Sequence, residues 1–114
     1  MVYISNKWVV VFADHRVEKE ISAFSVDVRA NLERIVDLIE EYGLENVHEP
    51  NVKHIAGKIW EMRAKGRDGI ALALYVAATG KQVIILHAFI KKTQKTPSEA
   101  INLAIKRGKE LGFL

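Results

Sequence analysis

The sequence lacks cysteine altogether, and this absence excludes several kinds of site. Without thiols the chain can form no disulfide framework, no thiolate metal site and no cysteine nucleophile. Long apolar runs are also missing, since none approaches the roughly 18 residues that a membrane-spanning helix requires. Residues 1–7 show neither a basic flank before an apolar core nor a small-residue cleavage site, so we expect no export signal. These absences favour a cytoplasmic protein that makes no membrane contact.

What is present fits one domain. With 114 residues and a hydrophobic share of 49%, the chain has the size and the apolar content for a single core. No internal repeat or low-complexity stretch divides it, and we interpret residues 1–114 as one domain.

Acidic residues are scarce in the second half of the chain. Residues 53–114 contain twelve Lys/Arg and four Asp/Glu, a net charge of +8. Residues 1–52 contain five Lys/Arg and ten Asp/Glu, a net charge of −5. The overall charge of +3 hides this separation. A strongly basic surface attracts phosphate backbones, so the pattern predicts a polyanionic partner, with RNA favoured. A solvated charged face is the alternative, and composition alone leaves the two equally open.

Hydrophobic periodicity predicts a strand, two helices, three strands and a helix. Residues 8–13 indicate a buried, central strand, and residues 17–24 a short helix. The next helix follows Ser25 or Asp27 as a cap and ends at Gly43, and residues 44–57 have a loop composition. Residues 58–64, 70–78 and 82–90 predict a three-strand meander, with residues 65–69 and 79–81 as its turns. Alternation in the first of these strands places Glu61 and Arg63 on the same face as Ile59.

The sequence TPSE at residues 96–99 predicts the start of the last helix. In this interpretation Thr96 is the N-cap, Pro97 takes the first helical position and Glu99 completes a capping box. Lys106, Arg107 and Lys109 are expected in water. The whole predicts an α+β fold, a small twisted antiparallel sheet with the helices against one face. The other face would be the open working surface.

No motif indicates a metal or a cofactor. The four histidines, His15, His48, His54 and His87, lack the spacing of a ligand set. Phosphate-loop, dinucleotide and nucleophile-elbow patterns are absent. We therefore expect neither a metal site nor a cofactor.

A cluster of basic residues surrounds the ends of the meander strands. Metal-free RNA cleavage requires activation of a 2′-hydroxyl, stabilisation of a dianionic transition state and protonation of the leaving 5′-oxygen. Lysine and arginine can stabilise that charge, and histidine can move a proton. The alternatives are a core histidine at position 87 and solvated lysines after the last strand. The cluster comprises Arg63, Lys65, Arg67, His87, Lys91, Lys92 and Lys95.

Three aromatic side chains of the meander could stack on splayed RNA bases. These are Trp60, Tyr75 and Phe89, of which Tyr75 is the best candidate. Core packing is the alternative for each, because aromatics that alternate along strands commonly face a core.

Two segments carry a family resemblance. Residues 59–63, IWEMR, resemble the "LWELR" segment, and residues 86–97, LHAFIKKTQKTP, resemble the "LHxFxKKTxKTP" segment, of a phage-derived, HigB-like branch of the RelE/ParE toxin superfamily. Residues 99–111 are similar to the closing helix of that family, and the likeness extends in weaker form back to Trp8. The predicted order of elements is also the order of such toxins.

The resemblance implies the toxin of a type II toxin–antitoxin pair. Such toxins are typically ribosome-dependent, metal-free endoribonucleases that cut translated mRNA and are neutralised by a helix-turn-helix, HigA-like antitoxin. By position it implies that Arg63, Lys91 and Lys92 hold phosphates and stabilise the transition state, with His87 as a proton carrier. Lys65, Arg67, Tyr75 and Lys95 are then candidates for RNA binding.

One position departs from the family pattern. Similar sequences carry an arginine early in the strand after the glycine turn, where this chain has Leu72. Loss of that arginine would attenuate or abolish cleavage. Two alternatives therefore accompany the endoribonuclease hypothesis: a ParE-like toxin that inhibits DNA gyrase, and a non-catalytic domain that binds RNA or an antitoxin.

Overall fold

The computed structural model describes residues 7–67 and 69–114. The prediction about an export signal concerns mostly residues outside these ranges, and Asp68 of a predicted turn is also outside them. The element order is β1 (Val9–Phe12), α1 (His15–Ser22), α2 (Val26–Tyr42), a 3₁₀ turn (Leu44–Asn46), β2 (Val52–Ala56), β3 (Ile59–Gly66), β4 (Gly69–Ala78), β5 (Gln82–Lys91) and α3 (Ser98–Glu110). None of the described helices is long and apolar enough to cross a membrane.

The strands form one twisted five-stranded sheet in the order β1-β5-β4-β3-β2. The predicted α+β fold and the β3–β4–β5 meander are confirmed, and the β4–β5 hairpin turns at Gly80 and Lys81, both with positive φ. Two predictions about the sheet are wrong. Residues 44–57 are not all loop, because they contain β2, and the sheet is not wholly antiparallel, because β1 pairs parallel to β5.

The first strand was expected at the centre of the sheet and instead lies at its edge. Val9, Val11 and Phe12 are exposed there, although the apolar run predicts burial. The backbone N–H of Val10 donates to the Glu40 carboxylate over 2.9 Å, so a side chain from α2 satisfies one amide of this edge.

The helices cover both faces of the sheet, which corrects the expectation of a single covered face. On one face α1 and α2 pack against residues that include Met62, Ala73 and Ile85. On the other face Ala100 and Ala104 of α3 pack against residues that include Leu74 and Leu86. The physical reason lies in β4 and β5, whose continuous apolar runs present buried side chains on both faces.

The start of α3 follows the predicted position but not the predicted cap. The helix begins at Ser98 after Pro97, and no side chain caps it. The Thr96 hydroxyl instead donates to Oε1 of Glu61 over 2.7 Å, so the expected capping box does not form. This bond fixes the segment between β5 and α3 to β3.

Where β3 ends, the sheet meets α2 closely. A Cβ at Gly66 would lie 2.2 Å from Cγ2 of Val28, so only glycine allows this approach. The backbone N–H of Arg67 also donates to the Asp27 carboxylate at the start of α2, and this bond, with that from Ser25, keeps the pKa of Asp27 below its usual value. The β3–β4 turn is therefore held against α2.

Candidate functional site

Strand register brings four of the predicted site residues onto one face of the β3–β4–β5 meander. Side chains of directly paired residues share a face, and Leu74 identifies this face as the one that α3 covers. Three rows cross the strands there: Glu61, Leu74 and His87, then Arg63, Leu72 and Phe89, then Lys65, Ile70 and Lys91. We call Arg63, Lys65, His87 and Lys91 the basic face.

The basic face lies toward the end of the sheet at which β3 ends. Lys65 is exposed there, and Lys91 and Ile70 are partly exposed. Within the described chain neither lysine has an ion-pair partner. Both ammonium groups are therefore available to an anionic ligand.

Arg63 keeps most of its hydrogen-bonding capacity. Its side chain is 32% exposed, and its Nε lies 3.8 Å from Oε2 of Glu61, too far for a hydrogen bond. No described residue accepts a hydrogen bond from this buried Nε. Because guanidinium donors match phosphate oxygens, Arg63 can offer a fork of N–H groups to a phosphate.

His87 is held by a network that joins three elements. Its Nδ1 lies 3.0 Å from Oε2 of Glu20 on α1, and Arg107 of α3 donates to both oxygens of the same carboxylate, each over 3.0 Å. The His87 side chain is only 13% exposed, and its ring stacks on that of Phe89, with centroids 5.0 Å apart. The histidine is thus fixed in place on the basic face.

The sequence interpretation missed two members of this network. Arg107 was expected in water but is buried, and it also donates to the Leu86 carbonyl over 3.0 Å. Glu20 was not considered. One signal was available for Arg107, since it lies on the same helical face as Ala100 and Ala104.

The aromatic prediction is corrected by the alternation of the strands. Tyr75 is 1% exposed and packs in the core beneath α1 and α2, on the face opposite the basic face, so it cannot stack on RNA there. Burial raises the pKa of its phenol. Phe89 is the aromatic residue that lies among the basic side chains.

The remaining predicted residues lie around the basic face rather than on its strands. Lys92 and Lys95 are exposed on the segment that leaves β5, which the Thr96–Glu61 bond fixes to β3. Arg67 is exposed at the β3–β4 turn, next to the row of Lys65 and Lys91.

Leu72 occupies the middle of the basic face. It pairs with Arg63 on one side and Phe89 on the other, and it is fully buried. Because a side chain here projects from the same face as Arg63 and Phe89, an arginine at this position would lie at the centre of the face. The family departure noted in the sequence therefore falls inside the candidate site.

A separate cleft of about 700 Å³ lies on the opposite side of the sheet. It is bordered by Trp8, Val47, His54, Trp60 and Tyr75, and no member of the basic face lines it. Among the described residues no group of three or more histidine or acidic side chains could hold a metal ion.

The chain matches a protein-family model. A family model described as phage-derived protein Gp49-like (DUF891) matches residues 19–109, which contain every residue of the basic face and both ends of the Glu20–Arg107 pair. The comparison with curated proteins gave no match.

Proposed function

The chain belongs to the phage-derived Gp49-like family, and we propose that it is the toxin of a type II toxin–antitoxin pair, an endoribonuclease that cuts ribosome-bound mRNA. The observation that carries the proposal is the basic face, on which one histidine and three other basic side chains share one side of three neighbouring strands. The HigB-like resemblance of residues 59–63 and 86–97 supports the reaction class. A cytoplasmic location and a helix-turn-helix antitoxin partner belong to the same proposal.

The proposed reaction is an intramolecular transesterification, in which a ribose 2′-oxygen replaces the 5′-oxygen of the next nucleotide on the phosphorus. The 2′-oxygen loses its proton to Nε2 of His87 and attacks the adjacent phosphorus, and the bond to the 5′-oxygen breaks as that oxygen takes up a proton from water. The products are a 2′,3′-cyclic phosphate and a 5′-hydroxyl. Arg63, Lys91 and Lys92 together stabilise the charge that develops on the phosphate oxygens.

RNA contacts extend beyond the reacting phosphate in this proposal. Lys65 of the basic face, with Arg67 and Lys95 beside it, would bind flanking phosphates, which position the strand without reading its sequence. Phe89 offers an aromatic surface beside Arg63 and His87.

Primer extension on ribosome-bound mRNA tests the proposal. The wild-type chain is compared with Arg63→Gln and Lys91→Gln, and with Lys81→Gln as a matched control, since Lys81 is exposed at the opposite end of the β4–β5 hairpin. We expect Arg63→Gln to lower the cleavage rate about 10²-fold, the usual effect of removing one transition-state donor, and Lys81→Gln to leave it unchanged. Equal effects of Arg63→Gln and Lys81→Gln would refute the site.

Leu72 favours a second candidate, a non-catalytic domain that binds RNA or an antitoxin. The centre of the basic face is apolar and fully buried, where similar sequences carry a cation. The same assay therefore includes Leu72→Arg, with circular dichroism to verify folding. Cleavage only by Leu72→Arg would show that the natural chain has lost activity, and absence of cleavage by both folded proteins would favour the binding function.

A further inference from the structure

Glu20 occupies the centre of a hydrogen-bond network and lies outside the two motifs, residues 59–63 and 86–97, that carry the family resemblance. Its carboxylate reaches from α1 to β5, where Oε1 accepts from the Ala88 N–H over 3.1 Å and Oε2 contacts Nδ1 of His87 over 3.0 Å. Arg107 approaches from α3 and donates to both oxygens. Three elements thus converge on one carboxylate beside the candidate site.

The charge state of Glu20 determines which nitrogen of His87 carries a proton. Burial raises the pKa of Glu20, but hydrogen bonds from Arg107, from the Ala88 N–H and from His87 lower it by more, so its pKa lies below the usual value. At neutral pH the group is a carboxylate, which can only accept hydrogen bonds. Nδ1 of His87 must therefore be the donor, and in the neutral ring Nε2 is left without a hydrogen.

Arg107 binds the same carboxylate from the side of α3. Because the guanidinium pairs with both oxygens of Glu20, most of the carboxylate's negative charge is already compensated. The other charged groups on the sheet face near His87 are Glu61, which is in its row, and Arg63 in the next row. Nε2 itself has no hydrogen-bond partner within the described chain, and the Phe89 stack limits rotation of the ring.

We propose that Glu20 is a positioning residue for RNA cleavage: it holds His87 in the Nδ1–H tautomer, with Nε2 presented on the basic face as the acceptor of the 2′-hydroxyl proton. Arg107 acts through Glu20 and fixes the carboxylate between α3 and β5. This inference rests on the proposed endoribonuclease function for its chemistry, while the tautomer is a property of the free protein.

Nitrogen NMR of the histidine rings tests the tautomer directly, because protonated and unprotonated ring nitrogens have separate chemical shifts. At pH 7.5 the wild-type His87 is expected as Nδ1–H, and Glu20→Gln is expected to shift the population toward Nε2–H, because the amide can donate to Nδ1. Glu18→Gln, on an exposed neighbour in α1, is the control and leaves His87 unchanged. A wild-type His87 in the Nε2–H form, or one that Glu20→Gln does not alter, would overturn the proposal.

Cleavage kinetics separate this inference from the proposed function. Glu20→Gln is expected to lower kcat about 10- to 100-fold with little change in KM, since RNA contacts are retained while the proton acceptor is misplaced. A loss of kcat/KM that comes only from a higher KM would argue against a positioning role for Glu20. If neither wild type nor variant cleaves RNA but the tautomer responds as expected, the endoribonuclease proposal fails while control of His87 by Glu20 stands.

A second variant covers the case in which Glu20→Gln does not fold, because it leaves Arg107 buried without its partner. Glu20→Leu with Arg107→Met removes both charges together, which proteins tolerate better than loss of one. We expect this double variant also to lose the preference for Nδ1–H. Retention of that preference without any carboxylate would refute the role of Glu20.

Discussion

Single side chains on the sheet differ sharply in how their polar atoms are satisfied. Glu61 is buried on the basic face, yet it accepts from Thr96 and lies near Arg63. The Tyr75 hydroxyl is equally buried on the other face but has no hydrogen-bond partner in the described structure. A buried, unpaired hydroxyl carries its full desolvation cost. Tyr75 therefore contributes packing and an energetic penalty, rather than RNA binding.

Tyr75→Phe should stabilise the protein, because it removes the unpaired hydroxyl and keeps the ring. We expect the free energy of unfolding in urea to rise by about 1 kcal/mol, with cleavage activity unchanged. Tyr42→Phe is the control. Tyr42 is 59% exposed, so water hydrates its hydroxyl in both the folded and the unfolded protein. A loss of stability specific to Tyr75→Phe would mean that its hydroxyl has a partner after all.

Elements with strong local periodicity were predictable, whereas their long-range neighbours were not. Alternation in β3 placed Ile59, Glu61 and Arg63 on one face, and the structure confirms it. The edge position of β1 depends on pairing with β5, far along the chain. Likewise the burial of Arg107 depends on Glu20, which is 87 residues away. No local pattern contains such information.

The candidate site was likewise predictable where it depends on local strand patterns, and not where it depends on long-range contacts. Register between predicted strands is enough to bring Arg63 and Lys91 to one face, once the hairpin turns are fixed. Tyr75 was misplaced because side chains alternate along β4, so that Tyr75 faces away from its neighbour Leu74 and from Arg63. The part that α3 plays was also hidden, because its helical pattern does not specify which face of the sheet it covers.

The junction between α2 and β3 depends on Gly66. A methyl group there would lie 2.2 Å from Cγ2 of Val28 and 3.2 Å from its backbone nitrogen. Gly66→Ala should therefore lower the free energy of unfolding by about 1–3 kcal/mol, as overpacking of a close contact does. Chemical denaturation of the purified variant measures the change.

A double-mutant cycle identifies the cause of that loss. If contact with the Val28 side chain is responsible, Gly66→Ala should cost clearly less in a Val28→Ala background. An equal cost in both backgrounds would show that the backbone contact, or the altered chain flexibility, dominates instead.

At the scale of the whole molecule, charge is divided between the two halves of the chain. The net −5 of residues 1–52 belongs to the part that contains β1, α1 and α2, and the net +8 of residues 53–114 to the part that contains β3, β4, β5 and α3. The basic face draws all its strands from the positive part. Glu20 is the acidic side chain that crosses from the first part to contact it, and Arg107 compensates its charge.

Salt dependence of RNA binding distinguishes a local phosphate site from general attraction to a basic protein. Each phosphate contact to a single strand contributes roughly 0.7 to the slope of log affinity against log salt. Lys91→Gln should therefore reduce the magnitude of that slope by about 0.7, as measured by fluorescence anisotropy with a short single-stranded RNA. Lys81→Gln changes the net charge equally, but its side chain lies at the other end of β5, about 30 Å away by strand rise, and should leave the slope unchanged. Equal slopes for the two variants would mean that net charge, rather than the basic face, governs binding, and the RNA site would then have to be sought elsewhere on the molecule.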